Sequence, residues 1–171
     1  MSKGLFAVVA VDKEWGIGIQ GQLLAHVSKD MKNFRALTSG KTVILGRKTL
    51  ETFPGGKPLP KRKNIILSRN PEYKVDGAFV VTSVEQALSE CGDGAAVIGG
   101  EQIYRQFLPY LDRIYVTKFD TVLEKDAFFP NLDEDKNWQL CGVCDSFTAD
   151  ENDSIPGVGC DILVYERTGN D

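Results

Sequence analysis

Histidine is nearly absent from this chain: His26 is the single histidine among 171 residues. The four cysteines, Cys91, Cys141, Cys144 and Cys160, include one close pair in the sequence CGVC, but no second pair follows at the spacing of a zinc site. The CGVC segment has the pattern of a strand, whereas redox-active pairs lie at the start of a helix. The sequence therefore predicts free thiols in a reducing compartment and no metal site.

A positive net charge and a long apolar run are also missing. The formal net charge is -4, and proteins that bind nucleic acid or an anionic membrane need a basic face. No apolar run approaches the length of a transmembrane helix, and no charged segment followed by an apolar one lies near Met1. We therefore expect a cytoplasmic protein with neither a nucleic-acid nor a membrane partner.

Hydrophobic residues, 42% of the chain, suffice for one core in a single domain over residues 1–171. Apolar runs typical of buried strands alternate with helical patterns, which favours a parallel sheet. Two late strands, 137–147 and 159–167, have no helix between them and should pair as an antiparallel hairpin. The predicted fold is α/β, with a mostly parallel eight-stranded sheet, an antiparallel C-terminal edge hairpin and about four flanking helices.

A glycine-rich segment follows the first predicted strand, LFAVVAV. Gly16, Gly18 and Gly21 are spaced too loosely for a phosphate-binding fingerprint, and no helix begins directly after them. This segment is better interpreted as a mobile flap over a site.

The next predicted helix, residues 28–37, carries one acid among apolar neighbours. Ser28 is its predicted N-cap, and Asp30 and Phe34 lie four residues apart on one face, beside Met31. Asp30 is either an exposed acid favoured by the helix dipole or the acid of a ligand pocket. From this segment alone, the exposed acid is the better interpretation.

Two strand ends have the composition of a phosphate-binding site. One strand ends at Gly46 and runs into Arg47 and Lys48, and the next ends at Ser68 and Arg69. If these strands are parallel, both basic groups lie at the same carboxyl edge of the sheet, where backbone N–H groups and cations can meet an anion. A solvated helix start explains the first of these groups equally well.

The segment AAVIGGEQIYRQFL places Gly99 and Gly100 between a strand and a helix. Paired glycines there permit either a tight turn or the close approach of a ligand to the backbone. The pattern is not that of a dinucleotide-binding fingerprint, so both interpretations stay open.

Five ordered segments resemble dihydrofolate reductase: AVVAVDKEWGIG, SKDMKNF, VILGRKTLETF, KPLPKRKNIILS and VIGGEQIYRQFLP, followed by VTKFD and an acidic loop that ends in AFFP. The resemblance covers nearly the whole chain. It implies reduction of 7,8-dihydrofolate to 5,6,7,8-tetrahydrofolate by hydride transfer from NADPH, in tetrahydrofolate biosynthesis and one-carbon metabolism. It places the ligands in a cleft between the sheet and the helix that carries the acid, and we expect a monomer.

The resemblance also implies the substrate site. Asp30 matches the acid that hydrogen-bonds the pterin and is the predicted catalytic residue; Thr117 matches its support, and Arg62 matches the arginine that holds the glutamate carboxylate. The other predicted substrate contacts, which pack the rings or offer backbone carbonyls, are Phe6, Met31, Phe34, Phe53 and Ile98.

On the cofactor side, the resemblance implies a set of contacts to NADPH from glycines, cations, hydroxyls and two isoleucines. They are Ile17, Gly18, Gly46, Arg47, Lys48, Thr49, Ser68, Arg69, Gly99, Gly100, Gln102 and Ile103. Gly99 and Gly100 match a glycine pair that a cis peptide bond joins in the family.

The chain departs from the family at Leu24–Ala25, where proline–tryptophan is usual. His26, the next residue, either compensates for the missing indole or faces solvent. The departure keeps other functions open: a related pterin reductase, for instance one acting on dihydromethanopterin; the aminopyrimidine reductase of riboflavin synthesis; or a non-catalytic NADP-binding module. Asp30 and Arg62 together favour a folate with a glutamate tail.

Overall fold

The computed structural model describes residues 3–169, so the outermost residues of the predicted 1–171 domain lie outside the described part. The strands are β1 (Phe6–Val11), β2 (Gly16–Ile19), β3 (Gln22–Leu23), β4 (Thr42–Gly46), β5 (Lys63–Leu67), β6 (Ala78–Val81), β7 (Ala96–Val97), β8 (Arg113–Phe119), β9 (Ala127–Phe128), β10 (Trp138–Thr148) and β11 (Gly159–Arg167). The α-helices are α1 (Ser28–Thr38), α2 (Arg47–Leu50), α3 (Val84–Cys91) and α4 (Glu101–Phe107).

Eight of these strands form one sheet in the order β10-β11-β8-β1-β7-β4-β5-β6. The pairs from β1 through β7, β4 and β5 to β6 are parallel, whereas β10, β11 and β8 pair antiparallel. The predicted fold class is therefore confirmed. The sequence patterns do not predict the second sheet, β3-β2-β9, because its strands of two to four residues are too short for a periodic signal.

Contacts along the chain define two compact units. The first unit comprises the residues up to Ala7 together with Thr38–Asp112, and the second comprises Val8–Leu37 together with the residues from Arg113 onward. The prediction of a single domain over the whole chain stays a prediction.

In the first unit, the parallel strands form the core. The β-branched and leucine side chains of β4 and β5 are mostly fully buried, as a continuous apolar run predicts. The parallel register sets Gly46 beside Leu67, so β4 and β5 end at the same edge. Ser83 caps α3 as predicted, because its side chain accepts a hydrogen bond from Gln86 N.

In the second unit, β8 and β11 pair with Thr117 opposite Ile162, and the buried ring of Trp15 packs against Phe129 and Tyr165. The hairpin partner β10 contains CGVC, so the prediction of a strand there is confirmed. The four cysteines are all free. Among residues 3–169, no helix is both long and apolar enough to span a membrane.

The proline-rich connection before β5 depends on a buried asparagine. Asn64 is 1% exposed, its Oδ1 accepts from Leu59 N at 3.0 Å, and its Nδ2 donates to Leu59 O at 2.9 Å and Arg62 O at 3.0 Å. The side chain therefore holds the 59–62 segment against the strand that follows it.

We expect Asn64→Ala to lower the free energy of unfolding by about 2 to 3 kcal/mol, since it leaves three partly buried backbone groups without their side-chain partner. Urea denaturation measures this loss. Asn70→Ala is the matched control: Asn70 is exposed and its Oδ1 accepts one hydrogen bond, from Glu72 N. Equally small losses in the two variants would show that the connection does not depend on Asn64.

Candidate active site

In the second unit, the predicted catalytic acid, Asp30, is hydrogen-bonded to Thr117, the residue predicted to hold it. Asp30 lies in the first turn of α1 and is half-buried, and Thr117 Oγ1 donates a hydrogen bond of 2.6 Å to Asp30 Oδ1. Burial raises the pKa of Asp30; the bond from Thr117 acts in the opposite direction, and burial prevails. Asp30 is therefore not the fully exposed helix-start acid that its segment alone favoured.

The helix that carries Asp30 is fixed at its start. Ser28 N and Ser28 Oγ both donate to Asp153 Oδ1 at 3.0 Å, and His26 N donates to Ser154 Oγ at 2.9 Å. The prediction of Ser28 as N-cap is wrong, because Ser28 is the first helical residue and its hydroxyl donates to a carboxylate from the turn between β10 and β11. The backbone two residues before Asp30 is thereby held in place.

Ala25, one of the two residues at which the chain departs from the family pattern, lies in the core of the second unit. Ala25 is 7% exposed and belongs to a buried cluster with Val27, Phe119, Ala149 and Cys160. His26 is exposed, which agrees with the interpretation that it faces solvent. Met31 and Phe34, the other predicted ligand contacts on α1, are half-buried.

The predicted flap is partly ordered as β-structure. Ile17 and Gly18 belong to β2, and Gly18 pairs with Leu23 on one side and Ala127 on the other. A Cβ on Gly18 would lie 2.8 Å from Gln22 O, so only glycine fits between these strands.

In the first unit, the predicted phosphate-binding groups share a sheet edge. β4 and β5 are parallel, and Arg47 and Ser68 each follow a strand at its carboxyl end. Arg47 is paired with Glu51 at 2.9 Å, Lys48 and Arg69 are exposed, and Ser68 is buried. Because α2 has only four residues, the positive charge at this edge comes from these side chains and not from a helix dipole.

The glycine pair lies against the end of β4. The Gly99–Gly100 peptide bond is cis, as predicted, and Gly46 N donates to Gly99 O at 2.9 Å. A Cβ on Gly46 would lie 3.0 Å from Ile103 Cγ1, and a Cβ on Gly100 would lie 3.3 Å from Thr49 Oγ1. The structure thus brings together five predicted cofactor contacts: Gly46, Thr49, Gly99, Gly100 and Ile103.

The donor set of this edge fits NADPH. Arginine, lysine and hydroxyl groups suit phosphate oxygens, and glycines permit close approach to the backbone. Gln102, the remaining predicted contact of the first unit, is exposed on α4. Within residues 3–169, no group of three or more histidine, cysteine, aspartate or glutamate side chains is placed to hold a metal ion.

Arg62 is oriented by a residue that the sequence analysis does not identify. Arg62 Nε donates to Pro60 O at 3.0 Å, and its Nη1 donates to Thr38 Oγ1 at 3.1 Å. Thr38 is fully buried at the end of α1. No local pattern links two residues 24 positions apart, so only the fold reveals this contact.

The other predicted substrate contacts of the first unit lie near strand ends. Phe6 begins β1, with its N–H bonded to Ala95 O at 3.0 Å, and Ile98 follows β7, with its N–H bonded to Ile44 O at 2.9 Å. Phe53 is half-buried after α2. That Phe6 and Ile98 offer backbone carbonyls to a pterin stays a prediction.

Comparison with known proteins identifies the family. The family model described as dihydrofolate reductase matches residues 4–167. The dihydrofolate reductase of Bacillus subtilis (strain 168) is 37% identical over 162 residues, which are 94% of this chain and 92% of that protein. The dihydrofolate reductase of Neisseria gonorrhoeae is 43% identical over 119 residues, 68% of this chain and 73% of that protein.

A solved structure agrees with these relatives. Dihydrofolate reductase from Enterococcus faecalis, in complex with NADP(H) and RAB-propyl, superposes with a TM-score of 0.85 at 34% identity and covers 99% of both chains. Family model, relatives and fold agree, and the chain therefore belongs to the dihydrofolate reductase family, the NADPH-dependent oxidoreductases that reduce dihydrofolate to tetrahydrofolate.

Proposed function

We propose that this chain reduces 7,8-dihydrofolate through Asp30, its catalytic residue. The observation that carries the proposal is the hydrogen bond from Thr117 to the half-buried Asp30. A carboxylate with one internal donor has acceptor capacity left for ligand N–H groups. The 2-amino group and a ring nitrogen of a pterin provide such groups.

Asp30 has two roles in this proposal. It orients the pterin ring by accepting its hydrogen bonds, and its negative charge favours protonation of the ring nitrogen N5 next to the carbon that is reduced. Thr117 keeps the carboxylate in one rotamer by bonding a single oxygen, Oδ1. Met31, Phe34 and Phe53 pack against the rings, with Phe6 and Ile98 offering backbone carbonyls.

NADPH, when bound, supplies the hydride. We assign its phosphates to the cations and hydroxyls at the sheet edge of the first unit: Arg47, Lys48, Thr49, Ser68 and Arg69. Gly46, Gly99 and Gly100 let the backbone approach the cofactor closely, and Gln102 and Ile103 complete this group. In the second unit, Ile17 and Gly18 of β2 are assigned to the same cofactor.

Arg62 distinguishes a folate from a simpler pterin. Its Nε and Nη1 donate to Pro60 O and Thr38 Oγ1, which sets the plane of a guanidinium suited to a carboxylate. This arrangement supports a substrate with a glutamate tail over a related pterin or an aminopyrimidine.

A direct assay tests the activity. Purified protein mixed with NADPH and dihydrofolate should lose the absorbance of reduced nicotinamide, and binding of NADPH without turnover on any dihydropterin would instead indicate a non-catalytic module.

We further propose that residues 1–171 form one dihydrofolate-reductase-like domain that acts as a cytoplasmic monomer without a nucleic-acid partner.

Arg47→Ala should weaken NADPH binding about tenfold to a hundredfold and leave NADH binding nearly unchanged, because a charge-assisted contact to the 2′-phosphate is lost. Dissociation constants for the two cofactors measure the difference. Arg105→Ala is the matched control, since Arg105 also forms an i,i+4 ion pair, with Glu101, although in the opposite chain order to the pair of Arg47 with Glu51. Equal losses for both cofactors would assign Arg47 a structural role.

Arg62→Lys should raise KM for dihydrofolate and hardly affect a dihydropterin that lacks the glutamate tail. An ammonium group cannot reproduce the two parallel hydrogen bonds of a guanidinium. Steady-state kinetics with both substrates check this, and an identical penalty on the truncated substrate would contradict the assignment of Arg62.

Asp30→Asn should lower kcat/KM near neutral pH by about a hundredfold to ten-thousandfold, because the amide lacks the charge that favours ring protonation. The loss should shrink as pH falls, since the solution then protonates the substrate. Profiles of kcat/KM against pH measure both effects. A loss that does not vary with pH would keep Asp30 as a binding residue and reject its role in protonation.

The same substitution should not destabilise the ligand-free protein at neutral pH. Since the pKa of Asp30 is raised by burial, the folded state binds its proton more tightly than the unfolded state, so stability falls as pH rises through the folded pKa. The uncharged amide of the Asp30→Asn variant would remove this loss, which thermal unfolding of both proteins against pH can show. Lower stability of the variant at neutral pH would show that the charge of Asp30 stabilises the fold.

A further inference from the structure

Lys125 is an almost buried lysine that has no part in the proposed chemistry. Its side chain is 9% exposed, and Nζ lies 2.9 Å from Asp12 Oδ2 and 2.6 Å from Glu14 Oε1. It also donates to Leu123 O at 2.8 Å. All three donor positions of the ammonium group therefore have a partner in the second unit.

Asp12 is the centre of this ion cluster. It is fully buried; its Oδ1 accepts from Glu14 N and Gly16 N at 2.9 Å, and its Oδ2 accepts from Leu123 N at 3.0 Å as well as from Lys125. Burial raises the pKa of Asp12, but the bonds from Leu123, Lys125, Gly16 and Glu14 together hold it below its ordinary value. The carboxylate is thus charged and saturated with donors.

The stem of Lys125 also contacts the backbone at the start of β2. A Cβ on Gly16 would lie 2.0 Å from Lys125 Cδ, so the lysine chain occupies the space of a side chain at position 16. Glycine is required at this position because the lysine lies against it.

One ammonium group therefore joins two chain segments. Residues 12–16 are bound through Asp12 and Glu14, and residues 123–125 through Leu123 and the lysine itself. Ile17 and Gly18, the proposed cofactor contacts of the second unit, follow Gly16 directly in β2.

We propose that Lys125 is a positioning residue for NADPH binding, which fixes the backbone of residues 12–18 through Asp12 and Glu14 and so presents Ile17 and Gly18 to the cofactor. This inference rests on the proposed assignment of Ile17 and Gly18. In this role Lys125 acts through the backbone that it holds, since its ammonium group is bonded to Asp12, Glu14 and Leu123.

Lys125→Met tests the proposal, since methionine keeps much of the apolar stem over Gly16 and removes the ammonium. We expect faster hydrogen exchange at the amides of Glu14 and Gly16, whose hydrogen bonds to Asp12 would loosen. We also expect the Kd for NADPH to rise about tenfold, while the Kd for dihydrofolate in the binary complex changes less than about twofold. Circular dichroism identifies a temperature at which the variant is folded, and the exchange and binding measurements are made at that temperature.

Two further variants make the test specific. Asp12→Asn combined with Lys125→Met should weaken NADPH binding no more than the worse single variant, because both remove the same ion pair. Lys13→Met is the matched control: Lys13 lies in the same segment but forms an exposed pair with Asp120 at 3.6 Å, so it should change neither exchange nor affinity.

Unchanged exchange, equal losses for both ligands, or faster exchange with an unchanged Kd for NADPH would each overturn the positioning role. Arg47→Ala separates this result from failure of the proposed function. If NADPH binding responds to Arg47 and not to Lys125, the cofactor site stands and the role of Lys125 is wrong. If it responds to neither, the proposed cofactor site itself is wrong.

Discussion

The contacts around Asp30 in the second unit keep one carboxylate partly out of water. Asp30 has one internal donor, Thr117 at 2.6 Å, and burial raises its pKa. Burying a charged carboxylate costs free energy, so the residues around Asp30 must be held firmly in place. Thr117 is buried in a strand that pairs along its length with β11, and the start of α1 is tied to Asp153. A loosely held helix would let the carboxylate turn toward solvent and lose its distinct proton affinity.

Asp12 and Asp30 show how the same residue type acquires opposite properties. Both lie in the second unit, but Asp12 accepts three backbone N–H bonds and pairs with Lys125, which lowers its pKa, whereas Asp30 has a single hydroxyl donor and a raised pKa. A carboxylate that is saturated with internal donors has nothing left to offer a ligand. The number of internal donors thus decides whether a buried carboxylate is saturated or can still accept a hydrogen bond from a ligand.

In the first unit, the candidate site depends on backbone geometry and not on a single buried charge such as that of Asp30. Parallel pairing of β4 and β5 brings Arg47 and Ser68 to one edge, and Gly46 bonds directly to Gly99. The glycines are required there by space: a Cβ on Gly46 would press on Ile103. The edge therefore combines the exposed cations Lys48 and Arg69 with backbone that carries no side chains.

The fold class, the late hairpin, the cap of α3 and the candidate residues at strand ends could be predicted from the sequence, because strand periodicity, capping and glycine geometry act over a few residues. Family motifs in the sequence added Asp30, Thr117 and the cis glycine pair. Four features could not be predicted and emerge only from folding: the short β3-β2-β9 sheet, the bond from Arg62 to Thr38, the role of Ser28 as a donor to Asp153, and the cluster around Lys125. Each of these joins short segments or residues far apart in the chain, and whether a polar group is satisfied or reactive depends on partners that only folding supplies.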